Sequence, residues 1–144
     1  MRLIMTADLL NRLQDLHRQQ HAEMSPDWFT RVEMAFPEGA VFLWVGQGFA
    51  NYLTLSGQIV GTSPDESPPF VSDNLRGIAN VIVRGARERG IPELVELLPQ
   101  LPPGQPACPG CGGRRWDGTP HAGHPDGSVC LLCSGLGWQP PRTA

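Results

Sequence analysis

Lysine is absent from the sequence. The chain contains 11 basic residues, all of them arginines, and 14 acidic residues, which gives a net charge of −3. A mildly acidic chain with a pI near 5.7 is poorly suited to gathering phosphate groups. The charge balance therefore argues against non-specific binding to DNA or RNA, and we expect weak or no nucleic-acid binding.

Long apolar runs are absent as well, since none approaches the roughly 18 to 20 residues that a membrane-spanning helix needs. We therefore expect no membrane partner. Asp8 interrupts the first apolar stretch and no small-residue cleavage site follows, so we expect no signal peptide. These features predict a cytoplasmic protein, and the arginine-only composition, rich in glycine, proline and alanine, suggests a bacterial one.

Cysteine is missing from the first 107 residues, and the four cysteines of the chain form two C-x2-C pairs separated by 18 residues. Such pairs are typical of a structural zinc site, in which two short knuckles each give two thiolates to one tetrahedral ion. Without an export signal, metal-bound thiolates are favoured over disulfides. We predict one structural Zn²⁺ held by Cys108, Cys111, Cys130 and Cys133.

The residues that follow each pair suit this role. The backbone must curl tightly after the second cysteine and can donate amides to the thiolates, so small residues help there. Gly112 and Gly113 follow the first pair, while Ser134, Gly135 and Gly137 follow the second.

Three other interpretations stay open. His121 or His124, in the spacer between the pairs, is able to replace a cysteine as a zinc ligand or to take part in a second metal site. Cys-Pro-Gly-Cys is similar to the motif of thiol oxidoreductases, although a proline-rich segment precedes it here instead of a strand. Two structural disulfides are the third alternative. We rank all three below a single site with four thiolates.

The second pair, Cys130-Leu131-Leu132-Cys133-Ser134-Gly135-Leu136-Gly137, resembles the C-x-x-C-x-G-x-G repeat in the cysteine-rich zinc domain of J-domain co-chaperones. The first pair looks more like a zinc-ribbon knuckle, and Arg115 stands where the repeat would have its last glycine. That domain uses four repeats for two zinc ions, so the resemblance implies one ion here. It covers about 30 residues, and the preceding part of the chain is only faintly similar to uncharacterised bacterial proteins.

The residues before the knuckles predict an α+β body in which a small antiparallel β meander packs with helices. Apolar periodicity and capping residues define its elements. In chain order they are a helix at about 6–24 capped by Thr6, a short helix opened by Ser25-Pro26-Asp27, strands at 41–45, 50–55 and 58–61, a helix at about 74–89 capped by Ser72-Asp73 and ended by Gly90, and a short helix from Ile91.

This organisation predicts a body at 1–101, a proline-rich linker at 102–107 and a four-cysteine zinc module at 108–144. Two further patterns in the body have simple interpretations. His17 and His21 share a helix face with Glu23 close behind, and we favour solvent-exposed histidines over half a metal site. The glycines at 46 and 48 imitate a dinucleotide-binding loop, but no helix follows them, so we predict a hairpin loop.

The sequence points to a protein without enzymatic activity. It contains no evident arrangement of nucleophile and base, no phosphate loop and no paired acids, and zinc with four sulfur ligands has no open position for water. We expect a protein–protein interaction or adaptor role, for example as an immunity or accessory protein. The alternatives are a nucleic-acid-binding zinc ribbon using Arg114-Arg115-Trp116, and a thiol redox switch.

Overall fold

The computed structural model describes residues 6–24, 26–33, 39–46, 48–54, 56–64, 70–120, 123 and 125–139. It confirms the predicted α+β class. The elements are α1 (Ala7–Glu23), α2 (Pro26–Glu33), β1 (Val41–Gly46), β2 (Phe49–Leu53), β3 (Ile59–Thr62), β4 (Phe70–Ser72), α3 (Leu75–Arg89), a 3-10 helix (Pro92–Leu97), β5 (Trp116–Asp117) and β6 (Ser128–Val129). None of the helices in these ranges has the length and apolar character that a membrane crossing requires.

The chain divides into two compact units, residues 1–73 and 74–144. The first contains α1, α2 and the four-stranded sheet, and the second contains α3, the 3-10 helix and all four cysteines. This division falls ahead of α3, whereas the sequence places its boundary at 102–107. Independent folding of residues 1–101 stays a prediction.

The sheet of the first unit is an antiparallel meander in the order β1-β2-β3-β4. Its first three strands confirm the predicted meander. The fourth strand was not predicted. Its residue Ser72 pairs with Ile59 of β3, whereas the sequence pattern assigned Ser72 to a helix cap. The fourth strand is only three residues long, so its two faces show little of the alternation that identifies a strand.

The turns of the meander agree with their sequences. Gly46 of β1 pairs with Phe49 of β2, so the glycine-containing segment is a hairpin connection, and Gly48 adopts a positive φ of 82° there. Gly57 donates its N–H to the carbonyl of Thr54 at 3.0 Å and closes the turn before β3. Strand β2 follows Gly46 and Gly48 where a dinucleotide-binding loop would lead into a helix, so the segment does not have the structure of such a loop.

Helix α1 packs against β1 through a stripe of buried leucines at positions 9, 13 and 16. Thr6 caps the helix as predicted, with Oγ1 accepting the N–H of Leu9 at 3.2 Å. Helix α2 adds Phe29 and Val32, both fully buried. Ser25, the predicted cap of this helix, lies outside the described residues.

In the second unit, α3 begins at Leu75, one residue later than the predicted start of this helix at 74. Asn74, rather than Ser72 or Asp73, is the N-cap, and its side chain accepts the N–H of Gly77 at 2.8 Å. Gly90 ends the helix in the left-handed conformation, as predicted. The segment after it is a 3-10 helix that packs on α3.

Candidate metal centre

The structure brings all four cysteines to one buried point. Their side chains are at most 3% exposed, and their sulfur atoms all lie within 4.8 Å of one another. Two of the separations are 3.9 Å, from Cys108 to Cys130, and 3.7 Å, from Cys111 to Cys133. A tetrahedral zinc ion with Zn–S bonds of about 2.3 Å separates its sulfur ligands by about 3.8 Å, so the thiol spacing fits that ion.

The same distances distinguish a shared ligand set from a pair of disulfides. A disulfide joins its sulfurs at about 2.05 Å, well below the 3.7 and 3.9 Å between sulfurs of different knuckles. All four cysteines are free thiols in this arrangement.

The two knuckles have the same backbone conformation after their second cysteine. Each adopts positive φ at the first, second and fourth residue that follows it. The matched angles are 61° at Gly112 and 57° at Ser134, 86° at Gly113 and 92° at Gly135, and 71° at Arg115 and 88° at Gly137. Positive φ favours glycine, which explains why small residues occupy all of these positions except that of Arg115.

Hydrogen bonds repeat with the same symmetry. The N–H of Arg115 donates to the sulfur of Cys111 at 3.3 Å, and the N–H of Gly137 donates to the sulfur of Cys133 at 3.3 Å. Between the knuckles, Cys108 N–H donates to the carbonyl of Gly137 at 2.9 Å, and Cys130 N–H donates to the carbonyl of Arg115 at 3.1 Å. Each knuckle therefore orients its own thiols and holds the other in place.

The surroundings of the sulfurs affect their protonation differently. Burial raises the pKa of the Cys133 thiol to about 12, against the opposing effect of the N–H groups of Gly137 and Gly135. Burial also acts to raise the pKa of Cys111, but the hydrogen bonds from the N–H groups of Arg115 and Gly113 and from the thiols of Cys133 and Cys130 together outweigh it, so that pKa lies below its usual value. Sulfurs this close cannot all be anionic without a cation, whereas a metal ion deprotonates its thiol ligands outright.

Arg115 adds a positive charge beside the cluster. Its guanidinium donates from Nη1 to the carbonyls of Leu136 at 2.7 Å and Gly135 at 3.2 Å. Burial lowers the pKa of this arginine, and the thiols of Cys133 and Cys111 oppose the shift. Four thiolates around a divalent ion leave two negative charges, and a nearby guanidinium offsets part of them.

The knuckles pack on α3 within the second unit. A Cβ atom added at Gly135 would lie 2.9 to 3.1 Å from side-chain atoms of Val129 and Val83, so this glycine lets the second knuckle approach the helix closely. Leu136 and Trp138 are buried. Trp116 is half-buried, with the guanidinium carbon of Arg87 4.9 Å from its ring centroid.

The other sequence candidates divide into two groups. His121 and His124 lie outside the described residues, so their contribution to metal binding stays a prediction. His17 and His21 are not simply exposed: together with Glu33 they place ligand atoms within 4.8 Å of one another. The i, i+4 spacing of the histidines was visible in the sequence, but their carboxylate partner is Glu33 of α2 instead of the neighbouring Glu23.

Comparison with models of protein families, with curated proteins and with solved structures gives no match. The function proposed below is therefore inferred from the chemistry and geometry of this chain.

Proposed function

We propose that the protein is a non-enzymatic zinc-binding protein with one structural zinc ion, held by Cys108, Cys111, Cys130 and Cys133. The ion cross-links and stabilises a module that binds another protein. The observation that carries the proposal is the burial of four thiols at the separations of a tetrahedral ligand set. Four sulfur donors in this geometry suit zinc, and they fill its coordination sphere, which favours a structural role over catalysis.

The matched knuckles support the resemblance to the repeat of the co-chaperone zinc domain. Arg115 occupies a backbone position equivalent to Gly137, with positive φ at both. We therefore interpret the module as two copies of one knuckle, of which the first carries an arginine in place of the final glycine. In the bacterial cytoplasm, where we place the protein, reducing conditions keep such thiols available to the metal.

The surface that we assign to a protein partner lies on the second knuckle. Leu131 and Leu132 stand between two cysteines of the metal centre, and their side chains are 88% and 44% exposed. The carbonyl of Leu132 accepts a hydrogen bond from Arg76 of α3 at 2.9 Å. Adjacent exposed leucines on a cross-linked turn offer a fixed apolar contact for another protein.

Two alternatives have less support. Arg115 donates to backbone carbonyls, and the indole N–H of Trp116 donates to the carbonyl of Asp126 at 2.9 Å, so the segment suggested for nucleic acid is partly engaged within the protein. A redox switch needs thiols that solvent reaches, whereas the four sulfurs are buried.

Metal content and thiol titration test the zinc centre. We expect one zinc per chain in protein purified without added metal or chelator, with four thiols that react only after chelation. The Cys130→Ser variant should lose stoichiometric zinc, because three thiolates remain. Zinc retained at one per chain in this variant would contradict the four-thiolate assignment, as would two disulfides in the purified protein.

Substitution of the exposed leucines tests the binding role. Proteins cross-linked to the wild-type chain in cells should be lost with Leu131→Asp, while the variant keeps its zinc. Leu101→Asp is the matched control, since Leu101 is also exposed, at 46%, and lies outside the knuckles. Equal cross-linking by both variants and the wild type would refute this surface.

A further inference from the structure

A second group of metal-ligating side chains lies in the first unit, apart from the cysteines. The Nε2 atom of His21 is 2.9 Å from Oε1 of Glu33, and the Nε2 atom of His17 is 3.4 Å from the same oxygen. The histidines come from one face of α1, since they are four residues apart, and the glutamate comes from the last residue of α2. Two helices therefore converge on one point with three donor atoms.

The separations suit a shared metal ion. A transition metal bound at about 2.0–2.2 Å by nitrogen and oxygen separates neighbouring ligands by about 2.8–3.1 Å in octahedral geometry and by about 3.3–3.6 Å in tetrahedral geometry. The 2.9 Å separation lies in the first range and the 3.4 Å separation lies in the second. Two imidazoles and one carboxylate form a ligand set that leaves coordination positions open on zinc or on ferrous iron.

An ordinary ion pair explains only part of this arrangement. It accounts for His21 and Glu33, which are within hydrogen-bond distance. It accounts less well for His17, whose Nε2 atom is buried and makes no hydrogen bond of good geometry within the described part of the chain, although it lies 3.4 Å from the same Glu33 oxygen. A buried polar atom without a partner is costly, and this one points at the oxygen that His21 already contacts.

Aromatic neighbours hold both imidazoles in position. His17 stacks on Phe42, with ring centroids 4.4 Å apart, and His21 stacks on Phe29 at 4.0 Å. Each imidazole is therefore flanked by an aromatic ring, and the neutral imidazole is the form that binds metals.

A cavity adjoins two of the three side chains, His17 and Glu33. It has a volume of about 430 Å³, and its lining includes His17, Glu33, Phe42 and Tyr52 together with leucines of α1. Most of its wall is apolar, and such a cavity is large enough to hold a small molecule beside the ligand set.

We propose that His17, His21 and Glu33 bind a divalent transition-metal ion whose remaining coordination positions open towards this cavity. Water or a small ligand from the cavity would complete the coordination sphere. The site uses no cysteine, so it goes beyond the structural zinc proposed above and does not depend on it.

Cobalt titration of the full chain tests the proposal, after the cysteine centre has been loaded with one equivalent of zinc. We expect one Co²⁺ to bind in addition, with weak visible absorption and without the intense thiolate-to-cobalt charge-transfer band. Glu33→Gln, which keeps the size and hydrogen-bonding capacity of the side chain, should weaken Co²⁺ binding by at least about 10- to 100-fold, since loss of even an outer-shell partner has an effect of that size.

Two further variants and a matched control separate ligation from folding. His17→Phe and His21→Phe keep an aromatic ring against Phe42 and Phe29 but remove the nitrogen, so both should lose the added Co²⁺ while keeping the wild-type circular dichroism spectrum. Glu23→Gln alters a carboxylate on the same helix and should bind Co²⁺ like the wild type.

Two outcomes overturn the proposal. One is a zinc-loaded wild-type chain that takes up no further cobalt, and the other is cobalt binding of equal affinity in the wild type and in Glu33→Gln. The Cys130→Ser variant should keep the added cobalt site, so a failure of the four-cysteine assignment remains distinguishable from a failure of this one.

Discussion

At the scale of single residues, Arg115 combines a glycine-like backbone with an arginine side chain. Its φ of 71° is strained for any residue with a Cβ atom. The strain accompanies contacts that a glycine cannot make, because the guanidinium donates to two carbonyls of the other knuckle and lies beside the thiols. The one departure from the repeat pattern therefore has a structural explanation.

Two substitutions at this position separate strain from contacts. Arg115→Ala loses the guanidinium and keeps the strain, whereas Arg115→Gly loses both. A left-handed non-glycine residue is less stable by about 1–2 kcal/mol, so we expect the glycine variant to hold zinc about 5- to 30-fold more tightly than the alanine variant in competition with a chelator. At Arg114, where φ is not positive, glycine should give no advantage over alanine. The same order at both positions would contradict the explanation.

At the scale of elements, Gln20 joins helix α1 to strand β1. Its side chain is 1% exposed, its Oε1 accepts the N–H of Val45 at 2.8 Å, and its Nε2 donates to the carbonyl of Val45 at 3.1 Å. The amide therefore pairs with the backbone of β1 as a neighbouring strand would. Since β1 is an edge strand of the sheet, this contact also covers part of that edge.

Replacement of Gln20 should lower stability strongly. Gln20→Ala removes the two buried hydrogen bonds between the Gln20 amide and the Val45 backbone, and removing one partner of a buried hydrogen bond costs about 1–3 kcal/mol. We expect a loss of about 2–4 kcal/mol in the free energy of unfolding, measured with urea. Gln19→Ala, next to it but exposed, should change stability by less than about 0.5 kcal/mol. Similar losses for the two variants would show that the pairing with Val45 contributes little.

The sequence predicted the elements whose pattern is local. The leucine stripe and Thr6 cap of α1, the first three strands and the left-handed Gly90 need no information beyond neighbouring residues. Strands β4, β5 and β6 and the carboxylate partner of the histidines were missed because distant residues define them. Strand β4 exists by pairing with β3, β5 and β6 exist by pairing with each other, and Glu33 meets His21 across 12 positions of the chain.

The metal centre was easier to predict than the fold around it. Two C-x2-C pairs identify four ligands from spacing alone, and the structure brings all four sulfurs together. The contribution of α3 could not be predicted in this way. Its approach to the second knuckle depends on Gly135 lying beside Val83. Neither the residues around Gly135 nor those around Val83 predict this contact.

At the scale of the whole molecule, two divisions of the chain make different predictions about zinc. The sequence assigns α3 to a body at 1–101 that is separate from the metal module. In the structure, α3 belongs to the compact unit 74–144, which also contains the cysteines, and it packs with β6. The extent of the zinc-dependent structure therefore distinguishes the two.

Hydrogen exchange before and after chelation measures that extent. A metal-stapled module loses much of its folding free energy without the ion, so the amides of the two knuckles should lose protection. We expect the loss to reach α3, because removing the second knuckle exposes Val83 and the helix face around it. Amides of the sheet at 41–62 should keep their protection, and they serve as the internal control. If protection in α3 is unchanged while the knuckles exchange freely, the boundary lies at 102–107, and α3 is stable without the zinc module.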